Sequence, residues 1–228
     1  MDEKLLSYLS LSKLFEDNGF SLYLVGGTVR DYLLNLPLTD MDAVTDATPI
    51  EMKVFLPSAD YTFAKYGSIN FKDEKKVKFD ITTLREEKGY QDSRHPLQIS
   101  FIKDLSVDVK RRDFTINALY LDKNLKVIDY VDGQEDLKHK TLRMVGNPQK
   151  RLKEDPLRII RALRFAADFD LTIDEELDSA IKENISLLEK LNVEKIKQDI
   201  NKTNKGKNEQ LISLFDKYDI KHLFDVIK

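Results

Sequence analysis

FSLYLVGGTVRDYLLNLPLTDMDAVTD, residues 20–46, carries a strand pattern, a helix pattern and a second strand pattern. The first part, FSLYLV (20–25), is apolar and aromatic, and Gly26-Gly27 ends it. Thr28 then stands near the start of a helix predicted over 28–36. A double glycine between strand and helix lets a ligand approach the backbone, and the first helical turn offers free N–H groups to an anion. Arg30, one turn in, reaches the same region. A tight strand–helix turn would need the same glycines, so this unit alone decides little. Asp40 and Asp42, at the start of the strand predicted over 41–45, decide more. Residues i and i+2 share a strand face, so the two acids converge while Met41 turns into the core. Parallel carboxylates repel unless a cation lies between them. An all-oxygen pair suits Mg2+, which takes one or two carboxylates and completes its shell with water and substrate phosphates. Asp40 and Asp42 are therefore the candidate metal ligands, beside a phosphate cradle of Gly26, Gly27 and Arg30.

Working outward, 228 residues leave room for one large or two small domains. Lysine and arginine number 37 against 40 acids, a formal charge of −3, so any phosphate-binding surface must be local. The absence of cysteine excludes disulfides, zinc–thiolate sites and thiol nucleophiles. No apolar run reaches transmembrane length, and MDEKLLSYLS lacks the order of a signal peptide, so a cytoplasmic protein without a membrane partner is expected. Residues 3–17 have helical spacing. Further strands are predicted at 60–65, 68–72, 77–83, 99–102, 118–121 and 126–130. From about 133 helical spacing dominates, continuing through 174–190, 192–202 and 207–226. Strands first and helices afterwards predict an α+β protein, a mixed sheet with flanking helices over 1–140 followed by an all-helical region over 141–228.

Three more stretches carry chemistry. VKFDITTLR (77–85) alternates, placing Lys78, Asp80 and Thr82 on one face. If this strand neighbours the Asp40/Asp42 strand, Asp80 becomes a third acid in a catalytic cluster of the kind that supports phosphoryl or nucleotidyl transfer; the plain alternative is an exposed strand position. KRRDFTINALYLD (110–122) offers Arg112, whose planar fork suits phosphate, and Asp113, an acceptor for a ribose or a helix cap. KEDPLRIIRALRFAADF (153–169) predicts a helix with Pro156 first, Asp155 as cap and a Glu154–Arg158 pair. Arg158, Arg161 and Arg164 recur every three residues on one stripe and repel unless an anion or acids answer them. Asp155 and Arg158 together present an acceptor and a donor fork, able to read a base edge such as that of cytosine or adenine.

Taken in order, LVGGTVRDYLL, DMDAVTDATP, FDITTLREEKGYQDSRHP, RRDFTINAL, YVDGQEDLKHKTLRMVGNP and EDPLRIIRALRFAADF resemble the class II tRNA nucleotidyltransferases, the group shared by CCA-adding enzymes and bacterial poly(A) polymerases. The resemblance spans about 20–170 and extends more weakly into the later helices, which are similar to a helical neck. It implies a polymerase-β-like nucleotidyltransferase head, Mg2+ on Asp40 and Asp42, and nucleotide contacts from Gly27, Arg30 and Arg112. It further implies that Asp155 and Arg158 act as a protein template for CTP and ATP, supported by Arg161 and Arg164. Residues 85–96 match the family's flexible loop, which helps switch from C to A addition. Where the family often carries Glu, this chain has Asp80. Implied partners are tRNA or another RNA 3′ end, with CTP and ATP as substrates. The family's body and tail helices find no match here, so a partner chain or self-association is expected to take their place. CCA addition to tRNA is the expected function. Adenosine-only polymerisation shares every motif, and a non-catalytic RNA-binding remnant is the alternative of another class.

Overall fold

The computed structural model describes residues 2–90 and 96–225, without the side chains of 88, 90, 96, 97, 224 and 225. They form two compact units: residues 2–89, 96–112 and 116–134, and residues 113–115 with 135–225.

The first unit is built on a six-stranded mixed sheet of β1 (Leu22–Val25), β2 (Met41–Thr45), β3 (Ser68–Lys72), β4 (Lys78–Thr83), β7 (Tyr120–Leu121) and β8 (Val127–Ile128), in the order β3-β4-β2-β1-β7-β8. β2 and β4 are parallel, and the other neighbours are antiparallel. Alternation sorts the faces: Met41, Ala43, Ile69, Phe79 and Ile81 are buried, while Asn70, Lys72, Lys78 and Asp80 are exposed. Helix α1 (Glu3–Asp17) packs on β1, and its buried Tyr8 hydroxyl donates to the carbonyls of Leu22 (3.1 Å) and Leu121 (3.0 Å). Helix α2 (Gly27–Leu33) follows β1 directly.

Helix α3 (Pro49–Phe55) escaped the sequence reading, although Thr48 and Glu51 close a full capping box around Pro49. The strand predicted over 60–65 does not form. The Asp60 carboxylate accepts from Thr62 N (2.9 Å) and Thr62 Oγ1 (2.6 Å), turning the chain after a single bridge to Asn70. Residues 85–96, read as a loop, contribute β5 (Arg85–Tyr90), which pairs with β6 (Pro96–Phe101); the rest of that loop, 91–95, lies outside the described residues. The strand predicted at 126–130 stops early because Asp129 accepts from the N–H groups of Val131, Gly133 and Gln134. A short helix, α4 (Leu105–Asp108), leads into the RRD stretch.

Helix α5 (Gly133–Lys138) crosses the boundary of the units along the chain. The second unit contains the small parallel pair β9 (Thr141–Leu142) and β10 (Thr172–Ile173) and the helices α6 (Pro148–Glu154), α7 (Leu157–Asp168), α8 (Glu175–Asn184), α9 (Val193–Ile200), α10 (Asn208–Lys217) and α11 (Lys221–Asp225). Its core is centred on α7, whose Ile159, Ile160, Ala162 and Leu163 are wholly buried. No helix among the described residues is long and apolar enough to cross a membrane.

Candidate active site

Gly26 adopts φ 69°, ψ −135°, a conformation essentially restricted to glycine, and turns β1 sharply into α2. A Cβ on Gly27 would lie 3.3 Å from Arg30 Nη2, so this glycine admits the guanidinium against the turn. Thr28, buried on α2, donates its hydroxyl to the Asp40 carbonyl (2.9 Å) and accepts from Asp42 N (3.0 Å). One side chain therefore ties the glycine turn to the start of the strand, where both acids stand.

Asp42 is half-buried on β2, Asp40 is exposed just before it, and Asp80 on β4 is the register partner of Asp42. The expected adjacency of the two acid-bearing strands is thus found. Burial, then Asp80, then Asp40, push the Asp42 carboxyl up from 3.8 to about 6, against the opposing pull of Arg112 and Arg30. Asp80 accepts a hydrogen bond from Asn70 Nδ2. Among the described residues, no three acids or histidines converge closely enough to enclose a metal by themselves. The arrangement is one carboxylate on β2, a second just before that strand, and a third acid alongside on β4.

The arginines are held more firmly than their motifs suggest. Arg30 is buried, donating from Nη1 to Asn117 Oδ1 (2.7 Å) and from Nε and Nη2 to Asp31 Oδ1 (2.9 and 2.7 Å). Arg112 Nε and Nη2 donate to Asp108 Oδ2 (3.1 and 2.9 Å), and its guanidinium stacks 5.0 Å from the centroid of Tyr120. Asp108, fully buried, is the residue sequence reasoning missed. It accepts from Arg85 N, Arg111 Nε, Arg112 and the Tyr120 hydroxyl. Burial alone would raise its carboxyl, but Arg111 and Arg112 prevail and hold it below the usual range. The DVKRR spacing, an acid three and four residues before two arginines, was the available signal.

In the second unit, the arginine stripe of α7 is answered by the protein's own acids rather than requiring an external anion. Arg158 Nη1 donates to the Arg151 carbonyl (2.7 Å) and approaches Glu154 (3.5 Å), confirming that i, i+4 pair. Arg161 pairs with Asp113, whose carboxylate also accepts from Phe114 N. Burial would raise the Asp113 carboxyl, but Arg161 outweighs it and holds it low. Arg164 is buried between Asp168 and Asp199, both at 3.3 Å, and lies over the Phe165 ring. Asp155 ends α6, and its Oδ1 accepts from Leu157 N (3.1 Å) at the joint with α7, whose N-cap is Pro156 rather than the expected Asp155.

Residues 22–143, more than half the chain, match the poly A polymerase head domain family. The chain belongs to that family. The CCA-adding enzyme of Enterococcus faecalis is 45% identical over 192 residues, covering 84% of this chain and 47% of the relative. The chain spans about half the length of the curated relatives it matches. Among solved structures, the Bacillus stearothermophilus CCA-adding enzyme in complex with CTP superposes with a TM-score of 0.87 at 28% identity, covering 96% of this chain and 53% of that one. The Thermotoga maritima CCA-adding enzyme complexed with tRNA gives 0.78 at 29% identity, covering 99% and 53%. The chain thus has a polymerase-β-like nucleotidyltransferase fold, a mixed sheet with flanking helices and a helical C-terminal region.

Proposed function

We propose that this chain carries out metal-dependent, template-independent nucleotidyl transfer from CTP and ATP to an RNA 3′ end, completing the CCA terminus of tRNA. The carrying observation is Asp42: a half-buried carboxyl raised to about 6 by burial and two neighbouring acids, on the strand tied through Thr28 to the glycine turn. A carboxyl in that state calls for positive charge, and the donors around it are hard oxygens, so the residues fit Mg2+. Asp40 and Asp42 would hold the ion, with Asp80 flanking them. When bound, the ion supplies Lewis-acid activation of the attacking hydroxyl and neutralises charge on the triphosphate.

The chain's own residues do the rest. Gly26 and Gly27 keep side chains away from the place where the triphosphate enters. Arg30 and Arg112, anchored by Asp31, Asn117 and Asp108, hold fixed positive charge toward that place without rearranging during reaction. In the second unit, Asp155 and Arg158 select the base by its hydrogen-bonding edge, and Asp113 with Arg161, and Arg164 with its two acids, stiffen the helix that carries them. The family membership and the CTP- and tRNA-bound relatives support this reading.

The test offers a tRNA lacking its last three nucleotides to the protein with Mg2+ and all four nucleotides, and sequences the product. CCA at the new 3′ end is expected. A run of A alone would replace the reading with adenosine polymerisation, and RNA binding without pyrophosphate release would reduce it to a binding remnant.

A further inference from the structure

On the solvent face of the sheet, β4 presents Lys78, Asp80 and Thr82, and β3 presents Ser68, Asn70 and Lys72. Two cross-strand pairs on this face carry like charges: Asp42 opposite Asp80, and Lys72 opposite Lys78. Phe79 is the partner of Met41, so Lys78 stands level with Asp40. Like charges directly opposite one another destabilise a sheet. The acid pair is explained by a cation, whereas the lysine pair has no counterpart among the described residues. Both lysines are exposed, and among the described residues neither ammonium lies within ion-pair distance of a carboxylate. They line a pocket of about 510 Å3 with Ser58, Asp60, Asn70 and Asp80. Its two acids are already engaged, Asp60 by Thr62 and Asp80 by Asn70. Protection of an edge strand accounts for a lysine on β3 but not for one on β4, which is covered on both sides.

We propose that Lys72 and Lys78 bind a backbone phosphodiester of the acceptor RNA beside its 3′ end. This rests on the nucleotidyl-transfer reading above. The lysine pair lies one same-face step along the sheet from the acid pair, roughly 7 Å at about 3.3 Å per residue. That separation is comparable with the reach from a sugar's 3′ oxygen to the same nucleotide's 5′ phosphate. An RNA whose 3′ hydroxyl lies at Asp42 therefore brings its last phosphodiester to the two ammonium groups. Lysines act here as point charges and read no sequence, which suits an acceptor end that changes with each addition.

The K72Q/K78Q variant tests this by two routes. Fluorescence anisotropy with a short single-stranded RNA, free of metal and nucleotide, should show about tenfold weaker binding at low salt. The slope of log K against log salt should be shallower by about 0.7, because one phosphate is no longer neutralised. Steady-state extension of a shortened tRNA should show a raised KM for RNA and an unchanged KM for CTP. The melting temperature should hold or rise, since a like-charge pair is removed. A raised KM for CTP with unaltered RNA binding would assign the lysines to the triphosphate and overturn the proposal. Unaltered RNA binding and unaltered KM values would leave them as surface protection and overturn it equally. The anisotropy measurement requires no turnover, so it stands even if the unmodified chain fails to extend RNA, an outcome that would sink the catalytic reading alone.

Discussion

The acids of β2 and β4 and the arginines of α7 are both rows of like charge, and the chain treats them in opposite ways. On α7 each arginine is paired internally, Arg158 with Glu154, Arg161 with Asp113, and Arg164 with Asp168 and Asp199. On the sheet Asp42 is left beside like charges, and burial first, then Asp80 and Asp40, raise its carboxyl to about 6. An internally satisfied row is held in place by the fold, whatever else its members do, and the loss of a partner is felt first as lost stability. A row left unbalanced stores a cost that only a ligand relieves, and its removal is felt as lost function together with gained stability.

The largest expected effect comes from breaking the unbalanced row. On the proposed reading, Asp42→Asn removes a metal ligand and with it several kcal/mol of transition-state stabilisation, on the order of 10³-fold in rate. The same variant should be more stable than the parent when metal is absent. A carboxyl raised from 3.8 to about 6 carries on the order of 2–3 kcal/mol of ionisation cost at neutral pH. The sign follows from proton linkage. With the folded-state value above the unfolded one, this group's favourable contribution is complete below pH 3.8 and is lost as pH rises through about 6. Thermal denaturation in chelator should therefore show the parent losing stability between these limits relative to Asp42→Asn, with Mg2+ closing the gap. If the variant melts lower than the parent at pH 8 without metal, Asp42 belongs with the satisfied charges.

The balanced row is broken by Asp199→Ala. It leaves the buried Arg164 with Asp168 alone and should cost about 3 kcal/mol, the lower end for a broken buried ion pair. Urea denaturation measures this, and unaltered stability would show that the pairing on α7 is incidental.

This contrast also marks how far the sequence could be read. The strand–Gly-Gly–helix–Asp-x-Asp order was legible because each element follows a local rule: period two, glycine at a positive φ, acids at i and i+2. Asp80 beside Asp42 required only that two apolar-alternating strands be neighbours. The Glu154–Arg158 pair was legible from its i, i+4 spacing, whereas the partner of Arg161 and the second partner of Arg164 were not, because Asp113 lies 48 residues from Arg161 and Asp199 lies 35 from Arg164. No periodicity links such distant positions, so the sequence left open whether an anion or acids answer the stripe, and the structure supplies the acids. Helix α3 is a different case: its TPIE signature, a capping threonine with glutamate three residues on, was local and readable.

Between these extremes lies the glycine turn that Thr28 ties to the acid-bearing strand. Gly26→Ala forces a Cβ onto φ 69°, ψ −135° and should cost about 1–3 kcal/mol in backbone strain. The new atom would meet the Asn117 carbonyl and Asp42 Oδ2 at 3.9 Å, an ordinary contact, so crowding adds little. Stability should fall without a comparable fall in metal affinity, as judged by Mg2+ titration of the melting temperature.

The smallest effect is the most discriminating, because it concerns the link between turn and strand. Thr28 Oγ1 donates to the Asp40 carbonyl and accepts from Asp42 N, so it holds the backbone on both sides of Met41. Thr28→Ser keeps the hydroxyl and should differ from the parent by well under about 1 kcal/mol. Thr28→Val keeps the shape and removes both hydrogen bonds, at about 1–2 kcal/mol for the polar groups left unpaired. If the acids are held in place for a metal, Thr28→Val should also weaken Mg2+ by about tenfold, the scale on which supports of ligands act. Thr28→Ser should restore the affinity. Equal Mg2+ affinity in both variants would mean that the acid pair finds its geometry from the sheet alone, and that the threonine contributes to stability without setting the site.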